Sequence, residues 1–293
     1  MDIIFSFGEH FYEQTDSSVL INFLLTFLSA FLGLLSALYL SKRDERKLKK
    51  NRILYLNTLL ENLIRSSTAQ IEKLEEFIHR VNDRPQDHHK ISWFASHDIK
   101  RYLKFDSQEL FDAYIQQEKF DKQKIKSFNE INAYIDLIDQ LIDQVKEISH
   151  TYTQSTFKRQ LEIKSKIERV SDEIAVVAER IKIDNLEDYR DKDVYYHLNE
   201  SLNTFHRLIR ETASIDRFLF EFIDPLRKAI MTSNFHHHYN LDPTLLESKS
   251  AFILYNDLKV DSDQAGIEIA EIVTKLRETI DKLRKTYKTV PNN

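Results

Sequence analysis

Arg190, Asp191 and His197 are the residues in this chain whose types and spacing point most directly to chemistry. An imidazole titrates near neutrality and can shuttle a proton, while a guanidinium grips phosphate oxygens with a fixed fork of donors. Six residues separate Arg190 from His197, in the segment Arg-Asp-Lys-Asp-Val-Tyr-Tyr-His, at the point where a charged stretch gives way to an apolar-periodic one. The trio fits acid/base transfer beside a stabilised phosphate charge. An Arg followed by a His after four to six residues is not unique, because Arg84 and His89, with four residues between them, also fit that range.

The other polar clusters carry less. His236, His237 and His238 are adjacent and so diverge, whereas a closed metal site needs three or four converging ligands; no metal site is expected. His88, His89 and His97 flank Trp93, which fits a half-buried loop anchor. Asp261-Ser-Asp263-Gln-Ala-Gly266 opens like a calcium loop. It has Ala265 at the fifth position and Ile272 where a bidentate glutamate belongs, so a helix cap is expected. Asp136, Asp139 and Asp143 recur three and four residues apart, the pattern of a solvated helix face.

Composition narrows the field further. Gly8, Gly33 and Gly266 are the only glycines, too few and too scattered for a dinucleotide fingerprint, a P-loop or a nucleophile elbow. With no cysteine there is no thiolate zinc site, catalytic thiol or disulfide framework. No cofactor is expected. Four prolines and 30% charged residues complete the profile of an almost wholly helical chain, and a net charge of −5 gives no general attraction to nucleic acid.

Residues 19–40 form a 22-residue run without a charge, and a helix of about 20 apolar residues covers roughly 30 Å of hydrocarbon. Residues 1–18 carry four acids and no Lys or Arg, which excludes the basic leading region of a cleaved signal. Lys42, Arg43, Arg46, Lys47, Lys49, Lys50 and Arg52 follow at once, against only Asp44 and Glu45. Positive flanks stay inside, so the expected topology is a single pass through the inner membrane. Residues 1–18 lie outside, 19–40 span, 41–83 continue as a juxtamembrane helix, and 84–293 form a cytoplasmic bundle. The basic cluster would lie against anionic headgroups. Within the span, Asn22, Thr26, Ser29, Gly33 and Ala37 make a stripe of small and polar residues, the pattern that lets two helices approach closely. A homo-oligomer through this face is expected, and a ring of such spans would turn Asn22, Thr26 and Ser29 toward a pore.

The remaining chain reads as long, coiled-coil-like helices, making the fold class all-α. Ile53, Leu56, Leu60, Leu63, Ser67, Gln70, Leu74, Phe77 and Val81 mark one seam, ending near Asp83 ahead of Pro85. A loop over 84–99 precedes a short helix near 107–118, with Asp106 and Glu109 as a capping box. Phe128 to Val145 and Ile163 to Ile181 mark two periodic runs, with HTYTQST at 150–156 either a turn or a solvated part of one helix. A charged loop at 184–193 leads into an aromatic-rich helix from Leu198 to Phe222. Asp224-Pro225 and Asp242-Pro243 each predict a helix start, and a last helix is expected from about residue 263.

The Arg190-to-His197 segment, at the mouth of a helix in an all-helical chain, resembles the Rx4–6H element of HEPN-type ribonucleases. That resemblance implies a dimeric site in which His197 transfers protons at a ribose 2′-hydroxyl and Arg190 stabilises phosphate, with Asp191 as the polar neighbour. A span followed by helices and a degenerate motif of this kind also resembles membrane-anchored CRISPR-associated accessory proteins that form oligomeric pores. The first functional expectation is therefore a membrane-anchored, homo-oligomeric helical effector of a bacterial anti-phage or stress system, acting by membrane perturbation or pore formation. A membrane-tethered HEPN-like ribonuclease and a non-enzymatic coiled-coil tether or scaffold are the alternatives. The expected partners are the lipid bilayer, further copies of the chain, and a cytoplasmic protein or RNA.

Overall fold

The computed structural model describes residues 16–87, 89–115, 122–183, 189–232 and 239–287, with residues 16–20, 113 and 189–191 described as backbone only. All regular structure among them is helical, which establishes the all-α class. The helices are α1 (Asp16–Asp83), α2 (Ala95–Leu103), α3 (Ser107–Ile115), α4 (Lys122–Ile183), α5 (Tyr189–Arg210), α6 (Ile215–Arg217), α7 (Asp224–Thr232) and α8 (Asp242–Tyr287). A π-helical turn, Phe218–Ile223, joins α6 to α7. The chain divides into two compact units, Met1–Glu61 with Leu103–Phe128, and Asn62–Tyr102 with Asn129–Asn293.

In the first unit, α1 carries the apolar run and then the start of its seam. Ile53, Leu56, Leu59 and Leu60 are buried on α1, as are Leu110, Tyr114, Ile115 and Phe128. Tyr55 meets Phe105 with ring centroids 4.9 Å apart, and Phe128 packs on Phe111 and Tyr114 at 5.4 and 5.5 Å. Asp106 caps α3, its Oδ1 accepting from the backbone N–H of Gln108 at 2.9 Å and of Glu109 at 3.4 Å. Only half of the expected capping box forms, because the Glu109 carboxylate pairs with Arg52 at 2.9 Å instead.

The second unit buries the rest of the α1 seam through Val81. Gln70 sits in that seam almost fully buried, and its carboxamide is used twice. Nε2 donates to the carbonyl of Ser92 at 3.1 Å, and Oε1 accepts from the N–H of Phe94 at 2.8 Å. A buried polar side chain is tolerated when its donors and acceptors are matched, and here it clamps the loop against α1. That loop ends at Phe94, shorter than the 84–99 expected, because Ala95 starts α2. Trp93 is half-buried with the Lys146 ammonium 5.7 Å from its ring centroid.

Helix α4 is a single helix of 62 residues, so the HTYTQST stretch is not a turn. It has no Gly or Pro to break it, and several of its polar groups are held, while the buried Thr156 hydroxyl has no hydrogen-bond partner among the described residues. Thr153 donates to the carbonyl of Ser149 at 2.7 Å, while the buried Tyr152 hydroxyl lies 3.1 Å from Ser262 Oγ on α8. Helices α4 and α8 run antiparallel: Ser155 and Arg159 bind Asp261, Lys166 binds Glu247, and Thr244 bonds Glu173. α8 is likewise one 46-residue helix from Asp242, so no new helix begins near 263 and the expected cap at Asp261 does not form. Asp261 instead pairs with Arg159 at 2.9 Å in mid-helix. Gly266 serves close packing, since a Cβ there would lie 2.8 Å from Asn82 Oδ1 of α1.

The aromatic-rich helix expected from Leu198 to Phe222 is broken. α5 ends at Arg210, and Thr212 takes a left-handed conformation (φ 49°) that lets the N–H of Ala213 reach the carbonyl of Leu208 at 3.0 Å. Four charged side chains bracket this turn: Arg217 binds Glu221 at 2.6 Å and Glu211 at 2.9 Å, and Arg207 binds Glu221 at 3.0 Å. The expected helix start at Asp224-Pro225 is a widened turn within a continuous helical run. Pro225 has no N–H and its ring crowds the carbonyl four residues back, so the preceding turn opens and the N–H of Asp224 bonds the carbonyl of Leu219. The charged loop expected at 184–193 is shorter at its far end, where α5 begins at Tyr189; residues 184–188 lie outside the described ones.

Gly266→Leu is expected to lower stability by about 1–3 kcal/mol in denaturant titration, through overpacking. Gly266→Ala should stay within about 1 kcal/mol, because exposed Asn82 can swing aside and alanine favours helix. The pairing with Arg217, then Arg207, holds the Glu221 carboxyl at about 2, below its ordinary value. A depressed carboxylate stabilises the fold above its unfolded pKa and loses that contribution as pH falls toward 2. Acid titration of Glu221→Gln, followed by near-ultraviolet circular dichroism, should show a shallower loss of structure below pH of about 4.5 than the parent chain.

Candidate functional site

Asn22, Thr26, Ser29, Gly33 and Ala37 all fall on α1, in the stretch where every described side chain from 21 to 40 is exposed. A helix apolar on all sides has no seam to bury in its own fold. This segment is long and apolar enough to cross a membrane. Its serine and threonine hydroxyls are satisfied within the helix. Thr26 Oγ1 donates to the carbonyl of Asn22 at 2.8 Å, Ser29 Oγ to that of Thr26 at 2.9 Å, and Ser36 Oγ to that of Leu32 at 2.8 Å. Back-bonding of this kind removes the cost of exposing a donor to hydrocarbon. A Cβ placed on Gly33 meets nothing within 4 Å, so this glycine answers no packing need inside the chain.

Beyond the run, Lys42, Arg43, Arg46, Lys47 and Lys50 are exposed, while Lys49 and Arg52 are half-buried. Lys49 Nζ lies 2.5 Å from Glu45 Oε1, and its hydrogen bond and charge are the main reasons the Glu45 carboxyl sits below its ordinary value. Arg52 holds Glu109 from α3.

His197 lies on α5 with its side chain 51% exposed and Nε2 3.6 Å from Asp193 Oδ1. The side chains of Arg190 and Asp191 lie outside the described residues, as do His88 and His236 to His238. His89 packs edge-on against Phe77 at 6.4 Å and its Nε2 is 2.8 Å from the carbonyl of Arg84; His97 is exposed. Among the described residues no three His, Cys, Asp or Glu side chains are grouped to hold a metal. Asp136 and Asp143 are exposed. Asp139 is half-buried, and desolvation, reinforced by Asp143, raises its carboxyl above the ordinary value. Burial, reinforced by Asp136, likewise raises the nearby Tyr102 phenol, whose hydroxyl donates to Asn132 Oδ1 at 2.6 Å.

Two polar arrangements escaped sequence reasoning. The Gln70 clamp had a signal, a polar residue at a seam position, without an identifiable partner. The Arg159–Asp261 pair had none, since it joins positions 102 residues apart.

These features define an all-α protein with, among the described residues, one helix capable by length and composition of crossing a membrane. No family model matches the chain, and neither a characterised protein nor a solved structure does.

Because the His197 side chain is exposed and pairs only with the exposed Asp193 among the described residues, His197→Ala should change folding stability by no more than about 0.5 kcal/mol in thermal melts. With the fold intact, a ribonuclease assay of that variant reads chemistry alone.

Proposed function

We propose that this protein is a membrane-anchored, homo-oligomeric helical effector that acts on the bilayer holding it. The observation that carries the reading is the 21–40 segment: exposed on every described side, self-satisfied in its serine and threonine hydroxyls, and part of the same helix that later buries a seam. The basic residues after the run favour an inside location for residues 41–293 and an outside location for the N-terminus, in the inner membrane of a bacterium. Copies would meet through Asn22, Thr26, Ser29, Gly33 and Ala37, and their rearrangement would perturb or open the membrane. A role in anti-phage or stress defence follows from the resemblance to membrane-anchored CRISPR-associated accessory proteins.

Gly33→Leu tests this cleanly, because the added side chain has free space within the chain itself. It is expected to abolish oligomers cross-linked in membranes and to abolish dye leakage from vesicles carrying the full chain. Retention of both would sink the proposal. Full function after replacing residues 19–40 with an unrelated span would favour a simple tether.

A further inference from the structure

The seven cations that follow the apolar run are not equivalent. Lys42, Arg43, Arg46, Lys47 and Lys50 recur at three- and four-residue spacing, so they share one helix face with Tyr39, and together the six line one shallow groove. Lys49 and Arg52 do not line it. They are half-buried and hold the protein's own carboxylates, Glu45 and Glu109. Among the described residues none of the five groove cations is in direct contact with a carboxylate, although the Lys42 charge acts weakly on Glu45, and each is exposed. The fold thus neutralises two of the seven charges and leaves five in a file.

The file also has a definite place. Lys42 to Lys50 covers about 12 Å at the usual helical rise, starting two residues beyond the last apolar position, Leu40. A headgroup layer is roughly 5–7 Å deep on each side of the hydrocarbon, and flexible Lys and Arg stems bring the whole file within reach of it. Tyr39 stands at the junction, where an amphipathic ring favours the interface. Two guanidinium forks and three ammonium groups on one face match phosphodiester oxygens and repel cationic partners.

We propose that Tyr39, Lys42, Arg43, Arg46, Lys47 and Lys50 form a binding face for the phosphates of anionic phospholipids, selecting them over zwitterionic lipid. This rests on the membrane-span reading. Each cation near an anionic surface is worth roughly fivefold in partition. Loss of five should erase any preference.

The test uses the full chain reconstituted from detergent into phosphatidylcholine vesicles with and without phosphatidylglycerol. Spin-labelled lipids report the association of phosphatidylglycerol relative to phosphatidylcholine. The parent chain should prefer the anionic lipid by at least several-fold. Substituting Gln at Lys42, Arg43, Arg46, Lys47 and Lys50 should bring the ratio to one, while Lys49→Gln with Arg52→Gln should leave it unchanged. Two pairwise variants, Lys42→Gln with Arg43→Gln and Lys47→Gln with Lys50→Gln, should give intermediate ratios, which a misfolded chain would not. Equal ratios for parent and five-site variant, or equal loss in the Lys49/Arg52 control, would overturn the proposal. So would displacement of the lipid by inorganic phosphate or by an oligonucleotide at matched ionic strength, which would make the face a free-phosphate or nucleic-acid site. Alkaline carbonate extraction separates the two readings. A chain stripped from the vesicles overturns the span itself, whereas a retained chain without lipid preference overturns only the headgroup face.

Discussion

The structure depends on one requirement: helices of 68, 62 and 46 residues must each hide a continuous apolar seam. Hydrogen bonds within a helix contribute little net stability in water, so helices this long persist because packing removes one face from solvent. Leu56 to Val81 on α1, Phe128 to Ile181 on α4 and Ala251 to Leu283 on α8 supply those faces. Polar groups inside them are either matched or small hydroxyls, such as those of Ser67, Thr156 and Ser248. Gln70 is tied to two backbone groups of the loop, and Tyr152 meets Ser262. Ser67 is buried with no hydrogen-bond partner among the described residues, and it is tolerable because its hydroxyl is small.

This requirement explains what could be foreseen. A seam writes itself into sequence as a three- and four-residue period, and all nine expected α1 positions from Ile53 to Val81 are buried. So are Phe128, Ile131, Ile135, Ile138, Ile142 and Val145 in the first run on α4, and Ile163, Ile167, Val170, Ile174, Val177 and Ile181 in the second. Helix ends were harder, because local signals and tertiary packing disagree there. Glu211 to Ser214 contain no Gly or Pro, yet the chain turns, with Thr212 accepting a left-handed backbone and an Arg–Glu network spanning the bend. Asp224-Pro225 has the local signature of a helix start, yet the π turn carries the helix through. Leu219, Phe222 and Ile223 all remain buried there, and Phe205 stacks 5.2 Å from Phe222. The polar 150–156 stretch was ambiguous alone and became helical because Tyr152 and Thr156 are buried.

The candidate site was legible to a different depth. The stripe and the basic cluster both fall on α1. The partition of the seven cations was not legible, because it depends on Glu109, which arrives from α3, and on burial that only the folded first unit creates. Charge counting treats all seven alike; the fold separates those that hold structure from those left facing solvent. The Arg190-to-His197 segment contributes an exposed His197 beside Asp193, a geometry shared by many surface histidines.

The same logic sharpens what the stripe in the span can offer a second helix. Thr26 and Ser29 have already committed their only hydroxyl donors to carbonyls of α1. They retain lone pairs, but within the stripe the one donor left to offer a neighbouring copy is Asn22, whose carboxamide makes no hydrogen bond among the described residues. Asn22 lies three residues from the start of the apolar run and Ala37 three from its end, whereas Ser29 and Gly33 lie nearer its middle. Association along this face would therefore draw mainly on close backbone contact at Ser29, Gly33 and Ala37 rather than on interhelical hydrogen bonds. Such contact is short-ranged and intolerant of volume, because dispersion falls steeply once a gap or a clash intervenes. A stripe of that kind discriminates by shape, and that makes Gly33, with open space around it in the single chain, the position on which an assembly would turn.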